Sequence, residues 1–282
     1  MPVLPSRLVA DFQHDGYVLT PDLLSERECS EYGAAIDAAV ADRTVDDKRS
    51  VDEKSLYEQS FVQCMRLWET DPAVAPLTFH PTLAEAASEL LGVDRVRLWQ
   101  DQALYKESGG RLTDPHQDAT FWPIGDAPLV SAWIPLDGST AENGTMGYVP
   151  GSHRAGRLAP VDITHTSEPY DILSDPALGD AGVEFVDAAA GSVIWHHGLT
   201  VHQAAANLTG ETRRVFTVVY IADGYPRAEA WPVFPLDRDG VAVGEPMEGP
   251  GIPIVWPRES DSIPPVPDVT GEPTGPQFRV PG

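Results

Sequence analysis

The sequence predicts a mainly β fold of the antiparallel jelly-roll type, preceded by helices. From residue 93 to 225, short apolar runs alternate with Gly, Pro, Asn and Asp, and helical periodicity is absent. Residues 1–92 instead show helical patterns with recognisable capping signals. The chain has 282 residues, of which 42% are hydrophobic, so it can bury a sizeable core. We therefore expect a single domain over 1–282, with a cupin-like jelly roll as its core.

The N-terminal part is expected to be mostly helical. Ser25-Glu26-Arg27-Glu28 is a capping box and predicts a helix that ends near Asp42. Further helices are predicted over 57–69 and over 82–92, the latter ending at a glycine. A short strand is predicted near Tyr17–Leu19.

Residues 43–55 interrupt these helices with eight charged residues in thirteen positions. Such a segment buries too little apolar surface to offset the entropy of ordering it. We predict a loop that is mobile without substrate and closes over the barrel mouth when substrate binds. The alternative is a solvated linker.

Six strands are predicted for the jelly roll, at Arg95–Lys106, Leu129–Leu136, Thr145–Val149, Val183–Val186, Ser192–His196 and Arg214–Ala222. The segment 226–282 holds thirteen of the 27 prolines, so we predict that it forms neither a central strand nor a helix. It is expected to wrap the barrel as extended, partly disordered coil.

Charge and composition exclude several classes of function. The net charge of −24 disfavours binding to nucleic acids and anionic membranes. The two cysteines, Cys29 and Cys64, form no CxxC pair, and both are expected to be inert side chains in helices. The segment MPVLPSRLVADF lacks the apolar run typical of a signal peptide, and no run of eighteen apolar residues is present, so we expect no membrane span. We expect a soluble, cytoplasmic monomer or homodimer that acts on a small molecule.

The pair His116 and Asp118 is the first candidate for metal chemistry. In an extended segment, residues i and i+2 point to the same face, so both side chains can reach one ion. A distant histidine would complete a two-His-one-carboxylate site, as in non-haem Fe(II) oxygenases. The candidates for that ligand are His153, His165, His196, His197 and His202. His202 precedes a turn and a strand that begins near Arg213, whose guanidinium suits a chelated acid.

The chain resembles the phytanoyl-CoA dioxygenase family of Fe(II)/2-oxoglutarate oxygenases. The resemblance covers about residues 8–222, and its motifs occur in the family's order. They are DQALYK (101–106), PHQD (115–118), SAWIPLD (131–137), AENGTMGYVPGSH (141–153), WHHGLTVHQAAAN (195–207) and TRRVFTVVY (212–220). The resemblance implies a double-stranded β-helix, with Fe(II), 2-oxoglutarate and O2 as cofactor and co-substrates.

The resemblance also assigns roles to individual residues. It implies His116, Asp118 and His202 as the catalytic iron ligands and Arg213 as the partner of the distal carboxylate of 2-oxoglutarate. It implies that Trp133 lines the co-substrate pocket; packing in the core is the alternative. Further contacts to the co-substrate are expected from Gln102, Gln63 and Gln117.

Three positions depart from the family pattern. Gln102 falls where relatives often place a methionine against 2-oxoglutarate, Gln63 falls where many place a lysine, and Ala204 falls where many have a serine that hydrogen-bonds the co-substrate. Phe121 and Trp122 follow Asp118 closely and are candidates for substrate binding, with core packing as the alternative. Among the other histidines, His153 is expected to be structural, and His197 is expected at most to contact one of the metal-ligating residues.

These features predict a dioxygenase that hydroxylates, or otherwise oxidises, a C–H bond of a small organic molecule, with specialised metabolism as the expected setting. Halogenases of the superfamily lack the carboxylate ligand, so Asp118 favours hydroxylation, desaturation or ring closure over halogenation. Two alternatives remain open: a non-catalytic jelly-roll protein that binds a small molecule, and a zinc hydrolase. The hydrolase lacks a well-placed glutamate base.

Overall fold

The computed structural model describes residues 2–269 except 169, 259 and 261. Its helices are α1 (Ser6–Asp15), α2 (Glu26–Arg43), α3 (Leu67–Thr70), α4 (Ala75–Thr78), α5 (Pro81–Leu91) and α6 (Phe234–Arg238). Its strands are β1 (Tyr17–Thr20), β2 (Val62–Met65), β3 (Val96–Lys106), β4 (Thr113–His116), β5 (Leu129–Pro135), β6 (Met146–Tyr148), β7 (Glu184–Phe185), β8 (Val193–His197), β9 (His202–Ala204), β10 (Arg213–Ala222) and β11 (Ile254–Trp256).

The strands form two antiparallel sheets. The larger sheet has the order β1-β8-β5-β10-β3-β11, with β2 paired to the other end of β3. The smaller sheet has the order β4-β9-β6-β7. This double-sheet arrangement confirms the predicted double-stranded β-helix, and all six predicted strands are present, with no end shifted by more than one residue.

The two-residue period of the strands separates two cores. Along β10, Val215 points between the sheets and packs with Trp133 of β5 and Tyr148 of β6. The next residue, Phe216, lies on the opposite face in a core with residues from α1, α2 and α5. The helices therefore cover the outside of the larger sheet, which leaves the space between the two sheets for a site.

The N-terminal predictions are partly confirmed. β1 and α2 are present, and the Ser25 capping box is formed in both directions with Glu28. The helix predicted over 82–92 runs over Pro81–Leu91, has Pro81 at its first position and ends at Gly92 in a left-handed conformation.

The prediction of a helix over 57–69 is wrong. Val62–Met65 instead pairs with β3 as an edge strand, and only Leu67–Thr70 is helical. Cys64 therefore lies in a strand, where it is buried, whereas Cys29 lies in α2 as predicted. Long-range pairing has here overridden the local pattern.

The tail prediction needs one correction. Residues 234–238 form the short helix α6, whose proline lies in its first turn, where no backbone N–H is needed. β11 is an edge strand, as the prolines require. The prediction of an extended, partly disordered coil also covers residues 270–282, which lie outside the described residues. Among the helices of the described part, none is long and apolar enough to cross a bilayer.

Candidate active site

Three side chains converge between the two sheets. His116 ends β4, His202 begins β9, and these two residues are paired across the smaller sheet. Asp118 follows two residues after His116, and the extended backbone of Gln117 turns both side chains to one side. Nε2 of His116 and Nε2 of His202 lie 3.6 and 3.5 Å from Oδ1 of Asp118. One potential ligand atom from each of the three lies within 4.8 Å of the others.

The backbone fixes the tautomer of both histidines. Nδ1 of His116 lies 2.7 Å from the carbonyl oxygen of Asp114, and Nδ1 of His202 lies 3.0 Å from that of Thr200. A carbonyl only accepts hydrogen bonds, so each Nδ1 carries the hydrogen and each Nε2 keeps its lone pair. Burial, followed by the neighbouring His116, holds the pKa of His202 well below its usual range. The ring is therefore neutral, as a metal ligand must be.

Two further side chains orient the carboxylate of Asp118. The Ser131 hydroxyl donates to Oδ2 at 2.9 Å, and Nε2 of His196 lies 3.1 Å from the same oxygen. The Tyr148 hydroxyl lies 3.3 Å from Nδ1 of His196, so it can donate to that nitrogen and leave Nε2 as the donor to Asp118. Oδ1 thereby remains directed toward the two histidines. Although burial alone raises the pKa of Asp118, the adjacent histidines hold it well below its usual range.

Arg213 is a buried cation in the same cavity. Its side chain is 4% exposed, its guanidinium lies 5.2 Å from the centre of the Trp133 ring, and one nitrogen donates to the carbonyl of Gly144 at 3.0 Å. Its Nε has no hydrogen-bond partner, and no carboxylate within the described residues pairs with it. Burial lowers the pKa of Arg213 to about 9. An unpaired buried guanidinium is costly, so this site is suited to an incoming carboxylate.

The next residue, Arg214, faces the other way. Arg214 pairs with Asp137 and Asp37 on the outside of the sheet. The alternation of β10 thus places one arginine in the cavity and one at the surface.

The three glutamines have different environments. Gln63 and Gln102 both line the cavity. The Tyr57 hydroxyl donates to Oε1 of Gln63 at 2.8 Å, and Nε2 of Gln63 donates to Oε1 of Gln102 at 2.7 Å. Gln117 points away: its amide donates to the carbonyls of Gly156 and Leu199 and accepts from the amide of Leu158. The structure therefore gives Gln117 a role in holding loops together rather than the predicted contact with 2-oxoglutarate.

The remaining predicted residues lie at the cavity wall or outside it. Phe121, Trp122 and Trp133 all line the cavity, and the Phe121 ring centre is 5.5 Å from that of His116. His153 contacts the carbonyl of Gln13, in agreement with a structural role. His197 accepts from the amide of Leu199 and packs against His153; it is not among the cavity-lining residues.

Sequence reasoning missed several residues of the site. It considered His196 only as a ligand, and it did not single out Ser131, Tyr148 or Thr113. Thr113 lines the cavity opposite Ala204, in the β4–β9 pair. In a regular strand, residues three apart face opposite sides, and an irregularity in the β4–β9 pairing between Thr113 and His116 lets both line the cavity. The sequence spacing therefore gave no signal for Thr113.

Two histidines and one carboxylate lie between the sheets of this double-stranded β-helix, and an unpaired arginine lies in the same cavity. This arrangement is typical of non-haem Fe(II) oxygenases. The chain belongs to the phytanoyl-CoA dioxygenase family: the family model described as Phytanoyl-CoA dioxygenase (PhyH) matches residues 12–215.

Similar proteins support the same class. A phytanoyl-CoA dioxygenase domain-containing protein 1 homolog of Caenorhabditis elegans is 28% identical over 157 residues, which are 52% of this chain and 54% of that protein. The chain thus spans about half the length of the curated relatives it matches. The crystal structure of the non-heme alpha ketoglutarate dependent carbocyclase SnoK from nogalamycin biosynthesis is 28% identical, with a TM-score of 0.73 over 89% of this chain and 96% of that chain. The epimerase SnoN, in complex with Fe3+, alpha ketoglutarate and nogalamycin RO, is 26% identical, with a TM-score of 0.69 over 89% and 98%.

Proposed function

We propose that the protein is an Fe(II)- and 2-oxoglutarate-dependent dioxygenase that oxidises a C–H bond of a small organic molecule. In this proposal His116, Asp118 and His202 hold the iron, and Arg213 binds the distal carboxylate of 2-oxoglutarate. The observation that carries the proposal is the buried, unpaired Arg213 in the cavity that also holds the three converging ligands. Bound Fe(II), with 2-oxoglutarate and O2, would supply the oxidising power and release succinate and CO2.

The protein's own residues would prepare and protect this chemistry. The carbonyls of Asp114 and Thr200 fix the imidazoles, and Ser131 and His196 fix the carboxylate of Asp118. This preorganisation keeps the ligand atoms in place before a metal arrives. Trp133 stacks against Arg213 and would limit the access of water to an ion pair between Arg213 and the co-substrate carboxylate. Such an ion pair is stronger where water is excluded.

We further propose that the first product is a hydroxylated substrate. Retention of Asp118 as a third protein ligand supports oxidation over halogenation. Ring closure and epimerisation are the alternative outcomes, because similar structures are named as a carbocyclase and an epimerase. We also propose a single catalytic unit, since the cavity wall draws on the N-terminal part, the jelly roll and the tail. The cytoplasmic location and the oligomeric state stay predictions.

The test is turnover of 2-oxoglutarate. Protein reconstituted with Fe(II) under air is expected to form succinate slowly without substrate and faster when a compound from a screened panel is accepted. Mass spectrometry would then show the product, with the mass of one added oxygen for hydroxylation. Metal-replete protein that binds ligands but forms no succinate would support the non-catalytic binding protein instead.

A further inference from the structure

The cavity continues outward from the candidate iron site into a chamber with aromatic walls. The whole cavity encloses about 1100 Å³, counting its open mouth. Thirteen apolar residues line the cavity, and six of them are aromatic: Tyr57, Phe61, Phe121, Trp122, Trp133 and Phe234. The other seven are aliphatic, Met or Pro residues. Aromatic rings pack best against other rings, in stacked or edge-to-face arrangements.

Every charged group that lines this cavity already has a task. The metal-site residues and Arg213 serve the iron and its co-substrate in the proposed function. The remaining cation, Arg66, donates to Glu69 at 2.7 Å and to the carbonyl oxygens of Trp99 and Gly251. A charged substrate group placed in the chamber would therefore be buried without a partner, at a considerable cost in free energy. The lining favours an uncharged ligand.

The tail supplies one wall of the chamber. Val233, Phe234 and Pro235 all line it, and they lie beyond residue 215, where the match to the family model ends. This part of the wall is consequently a feature that the family match does not cover.

A buried ion network holds this wall in place. The guanidinium of Arg238 lies 4.9 Å from the centre of the Phe234 ring. The same guanidinium donates to both oxygens of Glu69, at 2.8 and 3.2 Å, and Glu69 is fully buried. Glu69 also binds Arg66, so α6 is attached to the barrel at the back of the chamber. Breaking one partner of such a buried network is strongly destabilising, which makes the position of Phe234 well defined.

We infer that the substrate is an uncharged, ring-bearing molecule that packs in this chamber, and that Phe234 of the tail helps to select it. The inference rests on the proposed function for the position of the reacting carbon. It adds the substrate class and a specificity-determining residue. It also argues against acyl-CoA thioesters as substrates, because coenzyme A carries several negative charges.

The test uses three probes of defined chemistry: 1,8-dihydroxyanthraquinone, which is flat and uncharged; dodecanol, which is uncharged and flexible; and lauroyl-CoA, which is flexible and polyanionic. Each is titrated into the full chain loaded anaerobically with Fe(II) and 2-oxoglutarate. Calorimetry gives the Kd, and perturbation of the visible iron–2-oxoglutarate band reports binding beside the metal. The anthraquinone is expected to perturb the band and to bind at least about tenfold more tightly than the other two.

Phe234→Ala is expected to weaken anthraquinone binding by about tenfold while leaving the affinity for 2-oxoglutarate unchanged. Phe185→Ala is the matched control, because Phe185 is 45% exposed on β7 and lies outside the cavity. If Phe234→Ala does not fold, Phe234→Leu keeps an apolar side chain and is expected to weaken anthraquinone binding more than dodecanol binding.

Two results would overturn the inference: tighter binding of dodecanol or lauroyl-CoA than of the anthraquinone, or equal anthraquinone affinity in the Phe234 and Phe185 variants. Failure of the proposed function would look different, because the visible band itself would then be absent before any probe is added.

Discussion

Thr113 of β4 lies opposite Ala204 of β9, and the Thr113 hydroxyl accepts a hydrogen bond of 3.4 Å from Nζ of Lys106. Thr113 and Ala204 both line the cavity that holds Arg213. The threonine therefore offers, from the neighbouring strand, the hydroxyl that many relatives carry at the position of Ala204. We therefore expect Thr113, on the facing strand, to compensate for the departure at Ala204.

Thr113→Val is expected to weaken 2-oxoglutarate binding by about tenfold, the value of one hydrogen bond in a buried site. Ala204→Ser introduced into that variant should recover part of the loss, since it restores a hydroxyl on the same side of the cavity. The Kd follows from titration of the visible band. Equal affinity of the wild type and Thr113→Val would show that the hydroxyl does not contact the co-substrate.

Arg213→Ala should reduce the affinity for 2-oxoglutarate far more than it reduces iron binding. Loss of a charge-assisted pair in a desolvated site costs roughly 2–5 kcal/mol, so the Kd should rise well over tenfold. Arg214→Ala is the adjacent control, because that side chain pairs with Asp137 and Asp37 outside the cavity. A larger loss of affinity in the Arg214 variant would show that Arg213 is not the arginine that binds the co-substrate.

Lys106 should make the stability of the protein depend on pH. Burial, followed by the positive charges of Arg213 and Arg111, lowers the pKa of Lys106 to about 6. In the unfolded chain a lysine has a pKa of about 10.4. Between these values the unfolded state binds more protons, so the free energy of unfolding rises with pH by up to about 1.4 kcal/mol per unit.

Lys106→Met removes this contribution. Urea unfolding at pH 7, 8 and 9 should therefore show the stability of the wild type rising relative to that of Lys106→Met as the pH increases. Lys48→Met, at an exposed position in the same chain, should give no such trend. Parallel pH profiles for the wild type and the Lys106 variant would mean that Lys106 is charged in the folded protein.

Residues 43–55 are held by ion pairs rather than by apolar packing. Arg49 binds Asp47 and Glu58, and the largely buried Lys54 binds Glu107 at the end of β3. Residues 43–55 do not line the cavity, although the next aromatic residue, Tyr57, does. The role of 43–55 as a lid stays a prediction.

Hydrogen exchange tests that prediction. We expect 43–55 to exchange fast with Fe(II) and 2-oxoglutarate alone and to gain protection when 1,8-dihydroxyanthraquinone is added. Protection gained around Phe121 and Phe234 but unchanged across 43–55 would make the segment a linker only.

The sequence was most informative where local patterns decide the structure. Alternating strands and the Ser25 capping box follow from neighbouring residues, and the structure has them as predicted. The two-residue period of β10 likewise accounts for the opposite directions of Arg213 and Arg214. β2 could not be predicted, because its edge pairing with β3 outweighs a local pattern that suggested a helix.

The support of the carboxylate depends on distant parts of the chain. Ser131 and His196, which hold Asp118, lie 13 and 78 positions after it and meet it only once the sheets have formed. The wall formed by Phe234 likewise depends on Arg238 reaching Glu69, 169 positions away. No local spacing encodes these contacts, so only the fold reveals them.

The central claim is that His116, Asp118 and His202 hold iron next to 2-oxoglutarate. Its most direct test is anaerobic addition of Fe(II) and 2-oxoglutarate, followed by absorption spectroscopy. We predict a weak visible charge-transfer band in the wild type and in His80→Ala, a control at the start of α5 whose side chain contacts Glu28 rather than the cavity. The band should be lost in His116→Ala and in His202→Ala. A band of wild-type intensity in both of these variants would contradict the account.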